Sequence, residues 1–177
     1  TGFRQPRRRV GRRTPSLPVC RLERTVLQEG ERFPDFDLPD QNGERVRLVD
    51  LLGSPFVVYF YPKDDTSGCT AEACGFRDKM LDLPIPLLGV SPDSVESHKR
   101  FASKYNLSFR LLADTERSLI DACGLWVEKS MYGRKYMGVN RSTFLVGEGG
   151  EVLRAWHNVK PATHAEEVAE AIREILN

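Results

Sequence analysis

Apolar positions change their period along this chain, and each change marks an element. Phe56-Val57-Val58-Tyr59-Phe60 is an unbroken, partly β-branched apolar run, which predicts a strand over 56–60 buried on both faces. Residues 69–81 then contain no Gly or Pro except Gly75 and predict a helix. A second apolar run, Ile85-Pro86-Leu87-Leu88-Gly89-Val90, predicts another buried strand, so the order strand, helix, strand predicts a right-handed βαβ unit with parallel strands. Upstream, Asp40-Gln41-Asn42-Gly43 is a hairpin turn signal between short strands near 36–38 and 45–48. Downstream, Ser94 caps a helix running to about residue 105. Two strands over 141–146 and 151–156 flank the turn Gly147-Glu148-Gly149-Gly150, and 164–176 is an amphipathic helix. The pattern is that of an α/β domain, without internal repeats or a glycine-rich phosphate loop.

Composition fits one soluble globular domain: 177 residues, 40% hydrophobic and 29% charged. No apolar run approaches the roughly 20 residues that span a bilayer, which excludes a membrane-crossing function. The formal net charge of +1 conceals a segregation of charge. Eight arginines against Glu23 give residues 1–24 a charge of +7, and the remaining 18 basic and 24 acidic residues sum to −6. The leading segment also holds Pro6, Pro15 and Pro18 with no apolar periodicity, so residues 1–26 are expected to be a disordered Arg-rich arm ahead of a folded domain at 27–177. The arm has three open readings: an extension without a role, an organelle transit segment, or an anion-binding arm for nucleic acid or acidic lipid. A cytoplasmic location is expected, or an organelle stroma or matrix if the arm is a transit segment.

Candidate chemistry centres on Cys69, which stands where a polar turn becomes a helix. The first N–H groups of a helix lack intrahelical partners and carry partial positive charge, which favours a thiolate over a thiol. Thr66, Ser67 and Gly68 are all suitable N-cap residues. A lowered pKa does not by itself make a fast nucleophile. At pH 7 a drop from about 8.5 to about 6 raises the thiolate fraction about 30-fold, but a Brønsted slope of about 0.45 returns roughly 13-fold of that gain. Further rate must come from donors aimed at the reacting oxygens. Thr66, three residues before Cys69, can bring its hydroxyl beside the sulfur or serve as a simple cap. Pro62 either shields the thiolate from water or merely ends the strand. Cys74 reads as a small buried hydrophobe when taken alone and as a redox partner beside Cys69. Cys123 is expected to be a buried inert thiol at a helix end, and Cys20 lies in the arm. His98, His157 and His164 have no metal-ligand spacing and are expected to be solvated or satisfied locally. Trp126, Tyr132 and Tyr136 are expected in the core or a pocket wall, with Glu128, Lys129, Arg134 and Lys135 on a solvated loop.

The pattern Pro62-x-x-x-Thr66-x-x-Cys69, with Cys74 five residues on, resembles the active-site signature of the peroxiredoxins, in their bacterioferritin comigratory protein or peroxiredoxin Q branch. Leu38-Pro39-Asp40-Gln41-Asn42-Gly43, Tyr59-Phe60-Tyr61-Pro62-Lys63-Asp64-Asp65-Thr66, Ala73-Cys74-Gly75-Phe76-Arg77-Asp78, Trp126-x-Glu128-Lys129 and Arg141-Ser142-Thr143-Phe144-Leu145 carry the likeness from about residue 27 to the end. Ser67 stands where many relatives have proline.

The resemblance implies a thioredoxin-like fold with an N-terminal β-hairpin extension and a thiol-dependent peroxidase acting on hydrogen peroxide and alkyl hydroperoxides. It implies Cys69 as the peroxidatic cysteine, Cys74 as the resolving one through an intramolecular disulfide, and Thr66, Arg141 and Pro62 around the sulfur. Arg141, read alone as a surface charge at a strand end, would then direct its guanidinium fork over Cys69. A monomer recycled by thioredoxin or a glutaredoxin-like dithiol is expected, with no metal, haem or flavin. Two other classes stay open. A protein thiol–disulfide oxidoreductase would favour C-x-x-C spacing, and a binding module would depend on the arm.

Overall fold

The computed structural model describes residues 25–81 and 83–176. The readings made of the arm through residue 24, including Cys20, lie outside the described residues. In chain order the elements are β1 (Asp37–Pro39), β2 (Arg45–Arg47), α1 (Leu48–Leu51), β3 (Phe56–Phe60), α2 (Ser67–Lys79), β4 (Leu87–Ser91), α3 (Val95–Lys104), β5 (Arg110–Ala113), α4 (Ser118–Ala122), β6 (Trp126–Met131), β7 (Arg134–Val139), β8 (Ser142–Val146), β9 (Val152–His157) and α5 (His164–Leu176). A five-stranded mixed sheet of order β5-β4-β3-β8-β9 forms the centre, with β3, β4 and β5 parallel and β8 antiparallel to both β3 and β9. This is the thioredoxin-like arrangement expected, and the β1–β2 hairpin stands outside the sheet as a separate antiparallel pair.

Strand β3 is central and buried along its whole length, which is why its sequence is a continuous apolar run. Its side chains alternate between two cores. Phe56, Val58 and Phe60 join Phe33, Leu88, Leu112 and Phe144 on the face covered by the N-terminal segment and α4. Val57, Tyr59 and Tyr61 join Phe76, Phe101, Leu111, Leu145, Val168 and Ile172 beneath α2, α3 and α5. Each large apolar side chain so buried contributes on the order of 2 kcal/mol. The second core carries Cys69 as one of its members, so this thiol sits on packed side chains and not in a loose loop.

The boundaries and some elements differ from the sequence reading. Helix α2 begins at Ser67, two residues earlier than expected. Strand β4 begins at Leu87 because Pro86 has no N–H to give, and only its carbonyl joins the sheet, accepting from the Val57 N–H at 2.9 Å. The segment read as a solvated loop is the β6–β7 hairpin, whose register pairs Met131 with Arg134 across the two-residue turn Tyr132-Gly133. Both turn residues have positive φ, 51° and 77°, the geometry of a tight hairpin turn. Tyr132 is therefore 99% exposed and Tyr136 44% exposed, so neither lies in the core; only Trp126 packs inward, with the Arg117 guanidinium 4.3 Å from its ring. Strand β5 and helix α1 carry too little periodicity to be read, each being only four residues long.

Gly89 of β4 shows how tightly the second core is packed. A Cβ there would meet Leu111 at 2.8 Å and the Tyr59 ring at 3.0 Å. Tyr59 in turn lies 4.7 Å from Phe76 of α2, centroid to centroid, so pressure on Tyr59 is passed to the helix that carries Cys69. Gly89→Ala is expected to destabilise the protein by about 1–3 kcal/mol through overpacking, read as a lower midpoint in urea unfolding.

Candidate active site

Strand β3 ends at Phe60, and the chain turns through 61–66 before α2 begins. Thr66 occupies the N-cap with extended backbone, φ −93° and ψ 156°, and its carbonyl accepts the first intrahelical bond from the Thr70 N–H at 2.8 Å. Its hydroxyl does not cap the helix as the sequence suggested, but turns back and donates to the Lys63 carbonyl at 3.1 Å. Helix α2 buries Cys69, Glu72, Ala73 and Phe76, the i, i+3, i+4, i+7 stripe of a helix face packed on the core. Cys69 is thus fixed in the first turn and only 1% exposed.

Arg141 approaches from the residue before β8. Its Nη2 donates to the Cys69 Sγ at 3.2 Å, and its Nη1 donates to Glu72 Oε2 at 2.7 Å. One guanidinium therefore bridges a thiol and a carboxylate that lie one helical turn apart. Gly68 makes room for it, since a Cβ there would meet Arg141 Nη2 at 3.2 Å and the Pro161 ring at 3.5 Å. Glu72 is fully buried, and burial pushes its carboxyl up to about 7 against the opposing pull of Arg141. Burial opposes the charge of Arg141, but the facing Cys69 and Glu72 leave its pKa raised, so it stays cationic.

The structure brings Arg141 onto Cys69, with Thr66 at the N-cap three residues before the thiol and half-buried Pro62 at the start of the same turn. Cys74 also lies in α2 but off its buried stripe, half-exposed, and both cysteines are free thiols. Cys123 is buried at the C-cap of α4, and burial raises its thiol pKa far above the usual range, as an inert thiol requires.

Three residues near the site were given no part in it from sequence. Glu72 is one; its signal was its place three residues after Cys69, on the stripe that Ala73 and Phe76 continue. Lys129 is another, half-buried on β6, its pKa lowered by burial and then by Arg141. His164 is the third. Its Nε2 contacts the Thr143 hydroxyl at 2.6 Å, its ring packs edge-on against Phe76, and burial and then Arg141 lower its pKa to about 4, so it is neutral. None of the three histidines is simply solvated: His98 is sealed inside the protein and His157 shares Nδ1 with the Ser142 hydroxyl at 3.2 Å.

Comparison with known proteins agrees with this geometry. Residues 30–155 match the model of the AhpC/TSA family. Peroxiredoxin Bcp of Bacillus subtilis is 42% identical over 153 residues, covering 85% of this chain and 98% of that protein. Peroxiredoxin Bcp of Escherichia coli K12 is 40% identical over 151 residues, covering 84% and 97%. Among solved structures, the bacterioferritin comigratory protein of Xanthomonas campestris, studied for its alkyl peroxide reduction activity, superposes with a TM-score of 0.76 at 35% identity, over 86% of this chain and 98% of that one. A cysteine-to-serine mutant of Xylella fastidiosa PrxQ gives a TM-score of 0.80 at 32% identity, over 86% and 99%. With the thiol, its guanidinium and the fold in agreement, the chain belongs to the AhpC/TSA family, in the Bcp and peroxiredoxin Q branch of thiol-dependent peroxidases.

Proposed function

We propose that Cys69 reduces hydrogen peroxide and organic hydroperoxides, and that Cys74 resolves the product as an intramolecular disulfide, the atypical 2-Cys course. The observation that carries this reading is the 3.2 Å contact between Arg141 Nη2 and the Cys69 Sγ at the start of α2. The alkyl peroxide reduction named for the Xanthomonas campestris relative supports the substrate class. The Cys69 thiolate attacks the terminal peroxide oxygen, the O–O bond breaks, and the leaving alkoxide or hydroxide takes a proton to depart as alcohol or water. The sulfur is left as a sulfenic acid. Arg141 lies where charge develops on the oxygens, and Thr66, already donating to Lys63, keeps its lone pairs free to accept the peroxide proton. Pro62 offers no N–H and screens the sulfur from water.

The Cys74 thiol then condenses with the sulfenic acid, losing water. This step requires α2 to unwind. Five residues along a helix of 1.5 Å rise and 100° per residue set Cα atoms roughly 8.7 Å apart on different faces, whereas a disulfide needs them within about 7 Å and facing. Gly75 weakens the helix there by about 1 kcal/mol relative to alanine. A dithiol donor, thioredoxin or a glutaredoxin-like protein, returns both thiols, and dependence on such a donor supports work in a reducing compartment such as the cytoplasm. We take the protein to act as a monomer, since both cysteines and all proposed donors come from one chain. No helix among the described residues is long and apolar enough to cross a membrane.

Cys69→Ser is expected to abolish peroxide consumption, and Arg141→Ala to slow sulfenic acid formation in a single turnover by roughly 10²-fold. An unchanged rate in the second variant would return Arg141 to a surface-charge role. Oxidation should raise hydrogen exchange across 66–78, and Cys74→Ser should halt at the sulfenic acid; unchanged protection there would defeat the disulfide assignment. Glu72 gives a pH signature. Its folded pKa of about 7 lies above the ordinary 4.5, so the native state holds this proton more tightly than the unfolded chain. Its contribution to stability is full below the unfolded value and is lost as pH rises through the folded one. Glu72→Gln should remove that slope from urea unfolding measured between these two pH values.

A further inference from the structure

Asp64 belongs to the turn that carries Pro62 and Thr66, yet its carboxylate points into the protein and is 7% exposed. Oδ1 accepts from the Tyr61 hydroxyl at 2.6 Å, and Oδ2 accepts from the Ser97 hydroxyl at 2.9 Å and faces His98 Nδ1 at 2.7 Å. The His98 ring is fully buried, and its other nitrogen, Nε2, lies 3.0 Å from the Leu112 carbonyl oxygen. Both ring nitrogens are thus taken up by fixed partners, one on the active-site turn and one on β5.

We propose that the buried hydrogen bond between His98 and Asp64 is a positioning device for the active-site turn. The groups facing the pair are the Tyr61 hydroxyl from the end of β3, Ser97 from α3, the Leu112 carbonyl from β5, and Asp93 after β4, whose Oδ2 takes the Asp64 backbone N–H at 2.8 Å. Next to it, Asp65 is held by Lys104 at 2.8 Å and Tyr105 at 2.7 Å. All these anchors lie outside α2. The turn bearing Pro62 and Thr66 is thus fixed to α3, β4 and β5 and keeps its place while the first turns of α2 unwind and refold. His98 acts through Asp64 and touches neither Cys69 nor peroxide.

The positioning is tested independently of the peroxidase reading, on which only the kinetic consequence rests. His98→Gln is expected to raise hydrogen exchange at the Asp64 amide, which is bonded to Asp93, by about tenfold. Unchanged exchange there overturns the proposal, whether or not the protein reduces peroxide. In stopped flow, His98→Gln is expected to slow sulfenic acid formation by about tenfold while changing disulfide formation by less than about twofold, since misplacing a positioned group costs the step that uses it. The neutral pair Asp64→Asn with His98→Gln should recover most of the loss. Equal slowing of both steps, no slowing of the first, or no recovery in the double variant would overturn the positioning role.

Discussion

The guanidinium of Arg141 joins the two acidic groups on the buried stripe of α2, and the site depends on that bridge. It is held by Glu72, which accepts from Nη1 at 2.7 Å and so aims an Nη2 N–H at the Cys69 sulfur at 3.2 Å. Glu72, when ionised, depends on it: a buried ion pair deprived of one partner leaves an uncompensated charge, typically a loss of about 3–5 kcal/mol. Because Glu72 titrates near neutrality, the bridge is also adjustable. With Glu72 protonated, the whole charge of Arg141 serves the sulfur; with Glu72 ionised, two anions share one cation. The other oxygen of this carboxylate, Oε1, has no hydrogen-bond partner among the described residues, which disfavours the ionised form in the same direction as burial.

Much of this was legible in the sequence where local physics and tertiary packing agree. The run 56–60 reads as a strand buried on both faces because β3 is the centre of the sheet. Cys69 reads as a helix-start thiol because strand, turn and helix follow one another within a few residues. What stayed illegible depends on contacts distant in sequence. Arg141 is 72 residues from Cys69, and only the motif resemblance joined them. Asp64 and His98 are 34 residues apart, and nothing local to either shows that α3 lays one against the other. Glu72 carries no signal of burial in itself, because acids are seldom fully buried unless paired and its partner is distant along the chain. Tyr132 misled for the opposite reason: an aromatic residue suggests burial, while its positive φ beside Gly133 sets it at a hairpin tip.

The two halves of the site differ in how they are held. The turn over 61–66 is tied to α3 and the strand ends by side-chain bonds, whereas the first turns of α2 are held by their own backbone, by the buried stripe and by the Arg141 bridge to Cys69 and Glu72. On the proposed course, in which Cys74 resolves Cys69, this division would let the helix open while the donors for the next peroxide keep their place. Cys74 lies off the buried stripe and is half-exposed, so its movement would not disrupt the core.

The central claim is that Glu72 acts on the reaction through Arg141, and a double-mutant cycle measures that coupling directly. The bimolecular rate constant of peroxide with Cys69 would be determined for the wild type, Glu72→Gln, Arg141→Ala and the double variant. The account predicts that Glu72→Gln changes the rate when Arg141 is present and has almost no effect once Arg141 is gone. Independent, additive losses would show that the two side chains act separately and would contradict the bridge as the organising interaction of the site.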